Sequence, residues 1–213
     1  MSKPVTNTVI TIGRQFGSAG LAIGRQVAKD LGLKLYYKEI LDEIVSDDIL
    51  DDKKTEKKAE TKYANSFLYS LVMDKTNTGA YVDMPVNHKR FISQVDAINK
   101  LVEDGPCVLV GLCADYALAD RSNVISFFIH ADIQSRIRRI ARLYDVTDAK
   151  ALDMITEADM RRSSYYNFYT TKNWGQADCY SMSLDSSLLG IDGTAEMIKQ
   201  LVKLKDTNIQ AKL

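Results

Sequence analysis

Short apolar runs alternate with helical stripes along this chain, a pattern that predicts an α/β fold with a parallel sheet. Val9-Ile10-Thr11-Ile12 is β-rich and stops at Gly13. Ile23, Val27 and Leu31 recur at i, i+4 and i+8, one face of a helix, and Gly32 directly after them is a natural C-terminal cap. Leu35-Tyr36-Tyr37 reads as a short strand, and residues 38–50 as a helix with Ile40 and Ile44 inward. Four aspartates, Asp47, Asp48, Asp51 and Asp52, then give way to Lys53, Lys54, Lys57 and Lys58, a block expected to be a solvated helix or connector. Residues 63–75 look helical and 76–90 loop-like. Phe91, Val95, Ile98 and Val102 restore helical spacing until Gly105-Pro106 ends it.

Cys107–Val110 and Val124–Ile129 are continuous apolar runs, as expected of central strands buried on both faces. Ile133, Ile137, Ile140 and Tyr144 form one helical stripe with Asp132 placed to cap it. Residues 147–168 read as one long helix or a helical pair. A polar, aromatic connector, TTKNWGQADC, leads to a last strand at Tyr180–Leu184 and a closing helix over Asp192–Lys205.

Composition narrows the class. The 213 residues are 46% hydrophobic, enough to bury a single-domain core without disulfides or structural metals. Lys plus Arg and Asp plus Glu are both 28, and this neutral balance argues against a protein that wraps nucleic acid. No run approaches a membrane span, and the apolar stretch near the start is too short for a signal-peptide core. Cys107, Cys113 and Cys179 cannot all pair and have no metal-binding spacing, which fits a reducing cytosol. His88 and His130 are expected at the surface or at strand ends.

The candidate chemistry begins at Gly13-Arg14-Gln15-Phe16-Gly17-Ser18-Ala19-Gly20, set between a strand and a helix. Glycines there let backbone N–H groups converge, and a helix N-terminus adds partial positive charge, so the stretch reads as a phosphate cradle. A plain strand-to-helix turn is the alternative. Five blocks then point to a family: TIGRQFGSAGLAIGRQVAKDLG, GLCADYAL, FFIHADIQSRIRRIARLY, DMRRSSYYNFYTTKNWG and LDSSLLGIDGTAEMI, in this order, resemble the cytidylate kinase-like family.

The resemblance implies the P-loop fold of nucleoside monophosphate kinases: one three-layer α/β/α domain over residues 1–213 around a parallel five-stranded sheet. Residues 38–104 would be a helical acceptor-side insert and 147–178 a lid. It implies ATP or GTP as donor, Mg²⁺, and a nucleotide or other small phosphate acceptor; with no P-loop hydroxyl the metal would be held mainly by phosphates and water, and the neutral charge and the lack of a long apolar run speak against a nucleic-acid or membrane partner. Gly13, Gly17, Ser18, Ala19, Gly20 and Leu21 would cradle the donor, and Arg14, Arg136, Arg139 and Arg162 would act on the transferred phosphoryl group. Tyr37, Leu112, Asp115, Asp159 and Arg161 would line the acceptor side, with Asp159 placed at i, i+3 to hold Arg162. Tyr165, Tyr166, Phe168, Tyr169 and Trp174 would pack the lid or stack on a base, and Asp185-Ser186-Ser187 would meet the adenine or simply form a turn.

Three positions depart from the family pattern. Aligning Gly20 with the last glycine of G-x-x-x-x-G-K-[ST] puts Leu21 at the lysine and Ala22 at the metal-holding hydroxyl. The family's usual arginines stand replaced by Leu21 and Leu112, and its usual aspartate by Tyr37. Losing one preorganised charge-stabilising group costs about 3–4 kcal/mol in a transition state. Arg14, or Arg25 one turn into the helix, is the candidate substitute charge. Two readings therefore stand beside each other: an ATP- or GTP-dependent phosphotransferase, and a catalytically silent nucleotide sensor or protein-interaction module on the same scaffold. Nucleic-acid binding through Arg136–Arg142 is a third, disfavoured by the neutral charge.

Overall fold

The computed structural model describes residues 6–37 and 84–210. The elements are β1 (Val9–Arg14), α1 (Gly20–Leu31), β2 (Lys34–Tyr37), α2 (Met84–Glu103), β3 (Cys107–Val110), α3 (Ala114–Ala117), β4 (Val124–His130), α4 (Ile133–Tyr144), α5 (Asp148–Thr170), β5 (Met182–Asp185) and α6 (Ser186–Gln210). The expected helices at 38–50 and 63–75 and the charge switch between them lie outside the described residues. All strand pairs are parallel, and the five-stranded sheet runs β2-β3-β1-β4-β5. β1 is central, with Ile12 level with Val110 on one side and Phe127 on the other.

The apolar runs are continuous because the sheet is covered on both faces. Ile10, Ile12, Val108, Val110 and Phe127 pack under α1 and α6 through Ile23, Val27, Ile198 and Val202. Val9 and Leu109, of opposite pleat, pack under α2 through Ile98 and Val102. The result is the three-layer α/β/α arrangement expected from the sequence. α1 approaches β3 so closely that a Cβ on Gly24 would meet Val110 Cγ2 at 2.8 Å. At its end Gly32 turns the chain at φ 65° and its N–H reaches the last helical carbonyls.

Several boundaries move. α2 begins at Met84, inside the stretch expected as loop; Pro85 falls in its first turn, where a missing N–H has no cost. Residues 147–168 resolve as the single helix α5, capped by Thr147, whose hydroxyl accepts the Lys150 N–H. The last strand starts at Met182 rather than Tyr180, and α6 starts at Ser186, ahead of the expected Asp192, with a break at Gly190 (φ 67°, ψ −175°) that sets its first turn apart. Among the described residues no helix is long and apolar enough to cross a membrane.

Parallel strands end at one edge, so the turns after β1, β3, β4 and β5 gather there. Phe127 is fully buried at the sheet centre and Leu188, at the start of α6, is 81% exposed. Urea unfolding should show Phe127→Ala destabilised by about 3–5 kcal/mol and Leu188→Ala changed by no more than about 0.5 kcal/mol.

Candidate functional site

The turn after β1 is fixed by bonds to four neighbouring elements. Gln15 N–H donates to Ile129 O (3.0 Å), extending the β1–β4 pairing, and Gln15 Oε1 accepts from Ala131 N–H (3.2 Å). Phe16 is held on both sides of its residue: its N–H donates to Asp159 Oδ1 (2.7 Å), and its carbonyl accepts from Arg136 Nε (2.9 Å). Arg136 and Asp159 also form a direct, close ion pair, and their side chains are only 6% and 16% exposed. Gly17, at φ 81°, lies against α4; a Cβ there would meet Ile140 Cγ1 at 3.1 Å and Arg136 O at 3.2 Å. Ser18 Oγ donates to Gln15 O (2.9 Å). The Ser186 hydroxyl lies 2.8 Å from Ser18 O and 3.0 Å from His130 O, tying the turn to the last strand. Ala19, left-handed at φ 61°, then leads into α1.

The loop's N–H groups therefore divide in two. Those of Gln15 and Phe16 are bonded within the fold, and that of Ser18 leans on Gln15 O at 3.4 Å. No hydrogen bond among the described residues uses the N–H of Gly17, Ala19, Gly20, Leu21 or Ala22. The last four open the twelve-residue α1, so unbonded donors and the positive end of the helix dipole coincide. Such an arrangement suits a multiply charged anion.

The expected cations have different surroundings. Arg136 is buried with its donors on Phe16 O and Asp159, so it braces the loop rather than facing a ligand. Asp159, expected to hold Arg162, holds Arg136 and the Phe16 N–H instead. Arg162 donates to Arg14 O (3.2 Å) and lies over the Phe16 ring, 5.5 Å from its centroid. Arg161 ion-pairs with Glu157 one turn back (2.6 Å). Arg139, one turn beyond Arg136, has a buried Nε with no hydrogen-bond partner among the described residues. Arg14 packs beneath Gly20, where a Cβ would come within 2.5 Å of Arg14 Cβ, and its guanidinium fills the space that a side chain on Gly111 would take.

Across the edge, Gly111, Leu112 and Cys113 are all left-handed, at φ 81°, 67° and 51°. Leu112 O accepts from Gln94 Nε2 (2.5 Å). Asp115 accepts from Tyr166 OH (2.6 Å), joining α3 to α5; burial pushes the Asp115 carboxyl above its usual range while the Tyr166 bond pulls it back. Tyr37 ends β2 with Arg25 at its hydroxyl (3.4 Å) and over its ring, 5.6 Å from the centroid. The three departures have joined the core: Leu21 packs with Tyr37 in the cluster under α1, and Leu112 in the cluster under α2. The aromatic stretch is largely packing, since Tyr169 stacks on Phe91 of α2 (4.4 Å between centroids) and Trp174 meets Phe128 edge-on (5.1 Å).

Among the described residues an implied Mg²⁺ finds no dedicated set of protein ligands. The hydroxyl that would hold it is Ala22, and among the described residues no group of three or more His, Cys, Asp or Glu side chains could hold a metal ion. Asp115, the first carboxylate after β3, is engaged by Tyr166. Sequence reasoning missed the bracing role of Arg136 and the space that Gly111 leaves for Arg14, and although it named Tyr166 and Ser186 it did not foresee the Tyr166 bond to Asp115 or the Ser186 bonds to Ser18 O and His130 O. Only long-range contacts reveal these; the pairing of a buried arginine with an acid 23 positions away leaves no local trace.

The chain belongs to the cytidylate kinase-like family, whose model matches residues 9–188. Among solved structures, an uncharacterized protein from Eubacterium ventriosum ATCC 27560 is 26% identical, with a TM-score of 0.71 over 92% of this chain and 98% of that one. A shikimate kinase from Bacteroides thetaiotaomicron is 12% identical (TM-score 0.53, 92% of this chain and 98% of that one). A gluconokinase from Sinorhizobium meliloti 1021 is 10% identical (TM-score 0.52, 97% and 98%). These two share the fold. No curated protein matches the chain.

Asp159→Asn leaves Arg136 buried beside a neutral amide, and chemical denaturation should show a loss of about 3 kcal/mol; an unchanged midpoint would remove the brace from the account. Tyr166→Phe should raise the Asp115 titration midpoint, followed by carboxyl carbon NMR, because the bond that favours its charged form is gone.

Proposed function

We propose that this cytidylate kinase-like protein binds ATP or GTP at the turn spanning residues 13–20 and transfers the γ-phosphoryl group to a nucleotide or other small acceptor held beyond β2 and β3. The observation that carries this reading is the set of unbonded N–H groups from Ala19 to Ala22 at the start of α1. They provide what a phosphate chain requires: several donors aimed from one helix end, with no reorganisation when the anion arrives. In this reading Gly13 and Gly17 allow the turn its close packing, Ser18 fixes its shape, and Gly20 and Leu21 contribute backbone donors. Arg139, one turn beyond the brace and with no hydrogen-bond partner for its Nε among the described residues, is the cation assigned to donor phosphate. Arg14 faces the transferred group, and Arg162 acts on the loop through Arg14 O.

Transfer forms a bond between an acceptor oxygen and the γ-phosphorus and breaks the one to the β–γ bridging oxygen, releasing ADP or GDP. The chain's contribution is alignment and charge neutralisation. In this reading Asp115 and Tyr166 serve the acceptor side and α5 belongs to the lid. Three free thiols fit a reducing cytosol.

A second reading is a nucleotide sensor, favoured by the apolar residues at 21 and 112. Both bind nucleotide; only one turns it over. Thermal shift with ATP and GTP should show ligand-dependent stabilisation, and a coupled ADP-release assay across a panel of monophosphates and small alcohols then separates kinase from sensor. Arg139→Ala should weaken ATP about tenfold with unfolding free energy unchanged within about 0.5 kcal/mol. Equal affinity in this variant would remove Arg139 from the site.

A further inference from the structure

We infer that the guanidinium of Arg14 takes the place of the divalent metal in this nucleotide site, and that Gly111 is the positioning residue that makes room for it. The inference rests on the nucleotide-binding reading above.

The path of one side chain carries the inference. Arg14 is the last residue of β1, and its Cβ and Cγ lie under the first turn of α1, where a Cβ on Gly20 would meet them at 2.5 and 2.8 Å. Its far end reaches the strand next to its own. A Cβ on Gly111 would overlap Arg14 Nη1 and lie 3.0 Å from Cζ and 3.3 Å from Nη2. The cation thus spans from the unbonded N–H groups of α1 to the end of β3. Gly20 and Gly111 immediately precede Leu21 and Leu112, so one arginine lies between the two positions where the family's charges are missing.

The same ground is where a P-loop protein holds its metal, between a hydroxyl in the first turn of the helix and an acid at the end of a neighbouring strand. Here the hydroxyl position is Ala22, and the turn after β3 reads Gly111-Leu112-Cys113 with no oxygen ligand in its side chains. Asp115, farther on, is hydrogen-bonded to Tyr166. A metal needs hard oxygen ligands and is repelled by a fixed positive charge beside it. A guanidinium needs neither, and its planar fork matches phosphate oxygens. Arg162 holds the carbonyl of Arg14, which anchors the base of this side chain.

Both the backbone and the guanidinium favour glycine at position 111. Gly111 sits at φ 81°, and Leu112 and Cys113 continue left-handed. A Gly111→Ala change would add left-handed strain to the displacement of the guanidinium, so Gly111→Asn is the better probe: asparagine tolerates this conformation, and its Cβ still takes the Arg14 position.

ATP binding to the full chain, measured by calorimetry in EDTA and again in excess Mg²⁺, tests the inference. Dissociation constants within about threefold of each other are expected. In EDTA, Arg14→Ala and Gly111→Asn should each weaken ATP tenfold or more, the double variant should be no weaker than Arg14→Ala alone, and Arg14→Lys should fall between parent and Arg14→Ala. Circular dichroism and the urea midpoint establish that each variant is folded. Binding that appears only with Mg²⁺, or an Arg14→Ala variant that binds like the parent in EDTA, would overturn the metal-replacing role. Additive losses in the double variant would overturn the positioning role of Gly111. No binding of ATP or GTP in either buffer would overturn the nucleotide-binding reading itself, and the inference with it.

Discussion

The edge of the sheet depends on how Phe16 is held. Its carbonyl is bonded by Arg136, its N–H by Asp159, and the two side chains close the circuit by pairing with each other. Charges so deeply placed lose most of their hydration, and neither would be tolerated alone. Together with two polar atoms of the main chain they are satisfied, and the turn is locked onto α4 and α5 at once. This fixed point decides which N–H groups face inward to the fold and which remain for a ligand. It also ties α5, at Asp159, to the turn after β1.

The second constraint is the parallel sheet. With every strand ending on one side, the turns after β1, β3, β4 and β5 must share that edge, and polar chemistry concentrates there while both faces fill with apolar side chains. Leu21, Tyr37 and Leu112, the three departures read from the sequence, adjoin the core: Tyr37 is a buried member of the cluster under α1, Leu21 packs against it, and Leu112 packs against the cluster under α2. Arg14, Arg139 and Arg162 are among the cations at this edge. Neighbours of 10–12% identity share the scaffold, and scaffold alone does not assign chemistry, because the reaction belongs to the side chains at the edge.

Much of the scaffold was legible in the chain. β1, β3 and β4 are runs of apolar residues that only a doubly covered strand explains, and the stripe of Ile133, Ile137, Ile140 and Tyr144 announces α4 with its cap at Asp132, whose carboxylate accepts the Ser135 N–H. The glycine-rich turn between the first strand and the first helix was legible for the same reason. The division of labour among the arginines was not. Arg136 and Arg139 are neighbours on one helix with equal local claims, and only contacts with Phe16 and Asp159, distant in sequence, make Arg136 the brace, while Arg139 Nε has no hydrogen-bond partner among the described residues. The start of α2 was masked by polar residues before Phe91, and the break at Gly190 by a glycine that the apolar pattern passes over. That Gly111 accommodates an arginine from another strand is a tertiary fact.

The central claim, that the first turn of α1 is a nucleotide phosphate site, is tested most directly by amide NMR of the labelled protein titrated with ATP. The account requires the N–H resonances of Gly17, Ala19, Gly20, Leu21 and Ala22 to move in a saturable way, while that of Phe16, already bonded to Asp159, moves least within the loop. Saturable shifts confined to other surfaces, or none at millimolar ATP, would contradict it.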